Sequence, residues 1–125
     1  CLIPGVRKLS ENIEAISIVD NYLEHSRVFI FCNNDDPEVF ISSADFMTRN
    51  IDARVEVTCP IYDIEIKQEL IETFEIGWKA NVKARLHSDK FENLYRKRGD
   101  EKPFRAQQEM YKHYQNKLEV ITEIL

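Results

Sequence analysis

Apolar positions first recur at helical spacing between residues 13 and 23. Ile13, Ile16, Val19 and Leu23, flanked by Ala15, Ile18 and Tyr22, form one broad stripe. Ser10 stands where a cap is wanted, and Glu11 and Glu14 suit a first turn, so the spacing predicts a helix from about Ser10 to about Glu24. The pattern then changes. Val28-Phe29-Ile30-Phe31-Cys32 is β-branched and aromatic without alternation, as in a strand covered on both faces. Asn33-Asn34-Asp35-Asp36-Pro37 reads as a turn and Val39-Phe40-Ile41 as a second strand. Arg54 to Cys59 alternates, which predicts a third strand with Arg54, Glu56 and Thr58 on one face and Val55, Val57 and Cys59 on the other; Pro60 should end it. Ile66, Leu70, Phe74 and Trp78 behind a capping Asp63 predict a helix to about Ala80. Residues 82–86 read as a small strand or irregular segment and 88–103 as a charged loop. A last helix from about Pro103 should carry Ala106, Met110, Tyr114, Ile121 and Leu125 inward. Helices and strands interleave, so the expected fold is α/β, a mixed β-sheet flanked by helices with a long C-terminal helix.

Composition narrows the function classes. The chain has 125 residues, enough for one domain (1–125) and one core, with 43% apolar and 31% charged residues. Its net charge of −5 opposes unguided binding to nucleic acid or anionic membranes, so any anion site has to be local. Cys1, Cys32 and Cys59 are too few and scattered for a disulfide scaffold; three reduced thiols of a cytosolic protein are expected. No His/Cys cluster has zinc spacing, and no apolar run reaches the ~20 residues of a membrane span. Residue 1 is Cys, not Met, so a processed product or fragment is expected.

Three clusters carry chemistry. His87 and His113 read as surface residues, whereas His25 stands where a helix should hand over to an apolar strand, the place ligands favour in α/β sheets. Arg27, two positions on, shares its face: a fixed charge beside a transferable proton suits a phosphoryl oxygen, although taken alone the pair reads first as a histidine capping or solvating a helix end. Ser42-Ser43-Ala44-Asp45 offers hydroxyls and free backbone N–H groups to an anion, or else a plain N-cap through Ser43 or Asp45. Arg49, Asn50, Arg54 and Glu56 form the third cluster, either a surface ion pair or an arginine oriented by Glu56. Arg96-Lys97-Arg98 reads as a solvated loop or a polyanion channel lining.

The order His-x-Arg, apolar strand, Asn-rich turn and Ser-Ser-x-Asp resembles the phospholipase D signature, with Arg27 for its Lys, Asn33 for its Asp and Ser43 for its Ser. A narrower resemblance lies in Leu2-Ile3-Pro4-Gly5-Val6, Tyr22-Leu23-Glu24-His25-Ser26-Arg27, Phe40 through Asn50, and Asp52-Ala53-Arg54-Val55-Glu56-Val57. These look like the C-terminal catalytic domain of phosphohistidine-forming polyphosphate kinases, with Phe46 where that family has Trp. The resemblance implies half of a phospholipase D-like core. It also implies reversible transfer of the ATP γ-phosphate to a polyphosphate end through a phosphohistidine in a preceding domain outside these residues. It further implies His25, Arg54 and Glu56 as catalytic residues, and His25, Arg27, Ser42, Ser43 and Asn50 as contacts to ATP phosphates. Mg²⁺ would be held mainly outside this chain, with no metal ligand assigned within it. Partners would be ATP, ADP, polyphosphate and the remaining domains, without nucleic acid, in a homo-oligomeric cytoplasmic enzyme with room for peripheral contact with the inner membrane. The fragment alone should be inactive. The competing expectation is a non-catalytic phosphate- or protein-binding module.

Overall fold

Six short strands and three helices follow one another among the residues described by the computed structural model, which are 2–90 and 92–124, with the side chains of the last helix to residue 119. The order is β1 (Ile16–Ile18), β2 (Val28–Phe31), β3 (Glu38–Ser42), α1 (Thr48–Ala53), β4 (Thr58–Ile61), α2 (Ile64–Trp78), β5 (Ala84–Leu86), β6 (Leu94–Tyr95) and α3 (Ala106–Ile124). They divide into two units, one of residues 23–74 and one of residues 2–22 with 75 onward. No described helix is long and apolar enough to cross a membrane.

The first unit is built on an antiparallel sheet in the order β2-β3-β4. The hairpin turn holds Asn33, Asn34 and Asp35 at φ of 44°, 56° and 67°, a left-handed run that Asn and Asp tolerate best among residues with a side chain. The Asn33 amide closes the turn by donating to the Asp36 carbonyl at 3.0 Å. Opposite Val28 lies Ile41, and opposite Ile41 lies Cys59, so one face carries Val28, Ile30, Val39, Ile41, Cys59 and Ile61. Phe29, Phe31, Phe40 and Pro60 line the other, where the Phe31 and Phe40 rings meet edge to face with centroids 5.9 Å apart. Both faces are apolar, as β2 announced, and Val39 is buried between its neighbours.

The second unit pairs β1-β5-β6, also antiparallel. Its core is Ala80, Ala84 and Ala106 with Ile16, Ile18 and Ile76 packed against them. Buried Asn81 ties the approach to α3 together: its backbone N–H and side-chain oxygen pair with the Phe104 carbonyl and N–H at 3.0 and 2.7 Å, and its amide donates to the Lys102 carbonyl at 3.0 Å. Arg105 forks onto Asp20, whose side chain is enclosed, and this guanidinium holds the Asp20 carboxyl below its usual range.

Several expectations are corrected. The sheet is not mixed: strands form two separate antiparallel sheets. The helix expected over residues 10–24 is replaced by turns and β1. The Ser10 hydroxyl is spent backwards, accepting from Val6 N–H at 3.0 Å and donating to the Ile3 carbonyl at 2.6 Å, so it caps nothing downstream. Four β-branched residues in this stretch also weaken a helix, and Ile16-Ser17-Ile18 alternates as a strand does. The third strand begins at Thr58, not Arg54, because α1 occupies Thr48–Ala53 and Arg54 is its C-cap. Val55 and Val57 are consequently exposed, at 99% and 67%. Pro60 sits inside β4 opposite Phe40, which an edge strand allows since its missing N–H can face away from the ladder. The charged segment 88–103 contains β6, and Arg96 donates to the Trp78 carbonyl. Tyr114 is 41% exposed rather than inward, and His113 is half-buried. The expectations for Cys1, Ile121 and Leu125 fall outside the described side chains. The helix behind Asp63 forms as its pattern requires, with Asp63 Oδ1 accepting from the N–H groups of Glu65 and Ile66, both at 3.0 Å.

Candidate active site

The chemistry-bearing residues of the first unit gather at one end of its sheet. Register alone brings the three strand ends there: Arg27 precedes β2, Ser42 ends β3 and Thr58 begins β4. The Ser42 N–H bonds the Arg27 carbonyl at 2.9 Å, and Ser42 lies opposite Thr58. The Ser42 hydroxyl lies 2.8 Å from that of Thr58 and accepts from Ala44 N–H at 3.1 Å. Asn33, in the hairpin turn, is separated from this end by the whole of β2.

His25 and Arg27 meet here as their spacing predicts, and Asp45 joins them. Asp45 Oδ1 accepts from Arg27 Nε at 2.5 Å and lies 3.1 Å from His25 Nε2, while Arg27 Nη2 lies 2.7 Å from the same His25 nitrogen. The Arg27 side chain is 24% exposed and that of His25 64%. The guanidinium is thus anchored and the imidazole stands open. The Arg27 bond, helped by His25, holds the Asp45 carboxyl below its ordinary value; Asp45, with Glu56 farther off, raises the Arg27 pKa. A depressed carboxylate contributes stability above its unfolded value and loses it as pH falls through the folded one, so this pair survives until the medium is more acidic than the usual carboxylate range.

Glu56 is fixed next to them. The Ser43 hydroxyl donates to one Glu56 oxygen and Asn50 Nδ2 to the other at 3.0 Å, while Ser43 Oγ accepts from Val57 N–H at 3.0 Å. Asn50 is 1% exposed and one N–H of its amide is spent on Glu56, so it supports the site from within. Arg54 and Glu56 do not share a strand face. Arg54 is exposed at the end of α1, and its side chain makes no hydrogen bond or ion pair among the described residues.

Asp45 as a partner of His25 and Arg27 was missed by the sequence, where it read as a cap. Helix α1 takes no such cap from it: its N-cap is Met47, with no side-chain bond. The available signal was the short return from β3, which brings residue 45 back beside the start of β2.

A family model for the polyphosphate kinase C-terminal domain 2 matches residues 1–107. The chain belongs to the polyphosphate kinase family. It is 49% identical over 115 residues to polyphosphate kinase of Vibrio parahaemolyticus and 48% identical over 110 residues to that of Escherichia coli, covering 92% and 88% of this chain and 16% of each of those proteins. The crystal structure of polyphosphate kinase from Porphyromonas gingivalis superposes with a TM-score of 0.90 at 42% identity, over 96% of this chain and 18% of that one. The chain therefore spans about one sixth of the length of the curated relatives it matches. The motifs read as a polyphosphate kinase resemblance lie within the matched residues.

Proposed function

We propose that the sheet end bearing His25, Arg27, Ser42, Ser43, Arg54 and Glu56 forms one wall of a polyphosphate kinase active site, and that the unit holding it is half of a phospholipase D-like core. The observation that carries this reading is an open imidazole set against an anchored guanidinium, at the sheet end where the Ser43 hydroxyl fixes the Glu56 carboxylate. In the proposed reaction a histidine of a preceding domain attacks the γ-phosphorus of ATP. The N–P bond forms as the bond to the β-phosphate oxygen breaks, and ADP leaves. A terminal polyphosphate oxygen then attacks phosphorus and frees the histidine.

Transfer of this kind depends on positioning and on positive charge aimed at the phosphoryl oxygens. Arg27 supplies fixed charge, Arg54 a free cation at the rim, and the Ser42–Thr58 hydroxyl pair a hydrogen-bond donor, while the Ser43 hydroxyl is spent on Glu56. His25 acts as proton donor and acceptor, and Glu56 orients what surrounds it. With His25 neutral, Arg27 and Arg54 are balanced by Asp45 and Glu56. The attraction for a polyanion must then come from His25 protonation and from the rest of the enzyme.

The carboxylates do not fit a magnesium ion. Each Glu56 oxygen already accepts a hydrogen bond and Asp45 Oδ1 holds the Arg27 guanidinium, so a cation there would compete with these donors and sit beside a fixed positive charge, while Mg²⁺ takes oxygen ligands in octahedral array. Any Mg²⁺ of the reaction is held elsewhere. The complete enzyme is proposed to be a cytoplasmic homo-oligomer.

Purified complete protein is expected to convert ATP into polyphosphate and ADP, and the 125-residue chain alone to form no polymer. ATP binding by the complete protein without transfer would instead favour a phosphate-binding module. Polymer formation by the isolated chain would show that no histidine from another domain is needed.

A further inference from the structure

We propose that Asp45 is a positioning residue of this site, holding the Arg27 guanidinium and the His25 imidazole together and accepting the Nε2–H hydrogen bond whenever the ring is charged. The inference rests on the kinase reading.

The geometry sets a choice that only Asp45 resolves. His25 Nε2 faces Arg27 Nη2 at 2.7 Å and Asp45 Oδ1 at 3.1 Å. A single ring nitrogen cannot accept from one and donate to the other at once. In a neutral ring protonated at Nδ1, Nε2 accepts from Arg27. In the charged ring, Nε2–H donates to Asp45, and Arg27 retains its Nε–H on the same oxygen at 2.5 Å. Without the carboxylate, the charged ring would stand against an unopposed guanidinium. With it, the three side chains carry no net charge before protonation and a single positive charge afterwards, so a proton can arrive while Arg27 stays in place.

Two further features fit this role. Asp45 lies just before α1, yet the helix takes no side-chain bond from it, so its carboxylate is diverted into the site. Its pKa is lowered chiefly by Arg27 and next by His25, so it remains ionised and available as an acceptor. No hydrogen bond engages Arg27 Nη1 among the described residues, which leaves that edge of the anchored fork for a phosphate oxygen.

The test is the complete protein carrying Asp45→Asn, with Asp45→Glu as the conservative partner. Outer-shell partners of metal ligands typically change activity by about 10–100-fold, and a comparable scale is expected for a residue that orients a phosphate-binding pair. Asp45→Asn is expected to lower kcat for polyphosphate synthesis within that range while KM for ATP changes by less than about threefold, and Asp45→Glu should recover part of the loss. A ¹⁵N spectrum of the complete protein should show a protected Arg27 Nε–H signal that a further variant, Asp45→Ala, abolishes because it leaves no acceptor there. Retention of that signal in Asp45→Ala, or kcat of Asp45→Asn equal to that of the unsubstituted protein, would overturn the proposal. So would loss of kcat in step with loss of folded protein. If the unsubstituted protein makes no polyphosphate, the kinase reading fails, yet the Arg27 signal still decides the Asp45 contact.

Discussion

Replacing His25 with alanine in the complete protein is expected to lower polyphosphate synthesis by about 10³-fold, within the range a positioned proton donor contributes. The fold should survive. The imidazole is 64% exposed and its hydrogen-bond partners are Asp45 and Arg27, so its removal leaves a solvent-open position and not a buried cavity. Exposed substitutions of this kind usually shift stability by no more than about 0.5 kcal/mol. Steady-state kinetics beside thermal unfolding separates the two effects. A variant that unfolds at the same temperature and has lost its turnover locates the defect in chemistry. Near-normal turnover would remove His25 from the mechanism.

The largest stability effect is expected from Asn50→Asp, which changes one atom's chemistry and almost no volume. Asn50 is 1% exposed, and its Nδ2 donates to Glu56 Oε1 at 3.0 Å. Aspartate puts a second carboxylate oxygen where the donor was, so two negative charges face each other with little water between them. The loss should be about 3 kcal/mol near neutral pH, the scale on which buried charges lose a partner. The sign of its pH dependence is fixed. A proton shared by the two carboxylates restores the hydrogen bond, so the folded variant binds that proton more tightly than the unfolded chain does. Stability is then highest below the ordinary carboxylate value and falls as pH rises through the raised folded value. Urea unfolding at about pH 4 and about pH 7 should show the gap to the unsubstituted protein widening with pH. A constant gap would mean that Asn50 and Glu56 are not in contact.

The site was partly legible because its most informative pair is local. His25 and Arg27 lie two residues apart, so extended backbone places them on one side whatever the rest of the chain does. Local signals also suffice for the Asn33–Asp35 turn, the Asp63 cap and the two long helices. What failed depends on pairing between distant segments. Ile16 to Ile18 follow a helical stripe as readily as a strand, and only the partner Ala84–Leu86 decides between them. The alternation from Arg54 to Cys59 is real in sequence, but α1 consumes the residues before it and the ladder to β3 starts only at Thr58. Asp45 was hidden for the same reason. A cap is a local motif, whereas its actual contacts lie 18 and 20 positions back across a hairpin. Glu56 is held by Ser43 and Asn50 in a hydrogen-bond network, not by the strand face shared with Arg54 that its spacing suggested.

The position of ATP in the complete protein tests the central claim most directly. A structure with a non-hydrolysable ATP analogue is expected to show phosphate oxygens within about 2.7–3.2 Å of a His25 ring nitrogen and of the Arg27 guanidinium, at the end of the sheet formed by β2, β3 and β4. An analogue bound with its phosphates away from both side chains, leaving that sheet end to solvent, would contradict it.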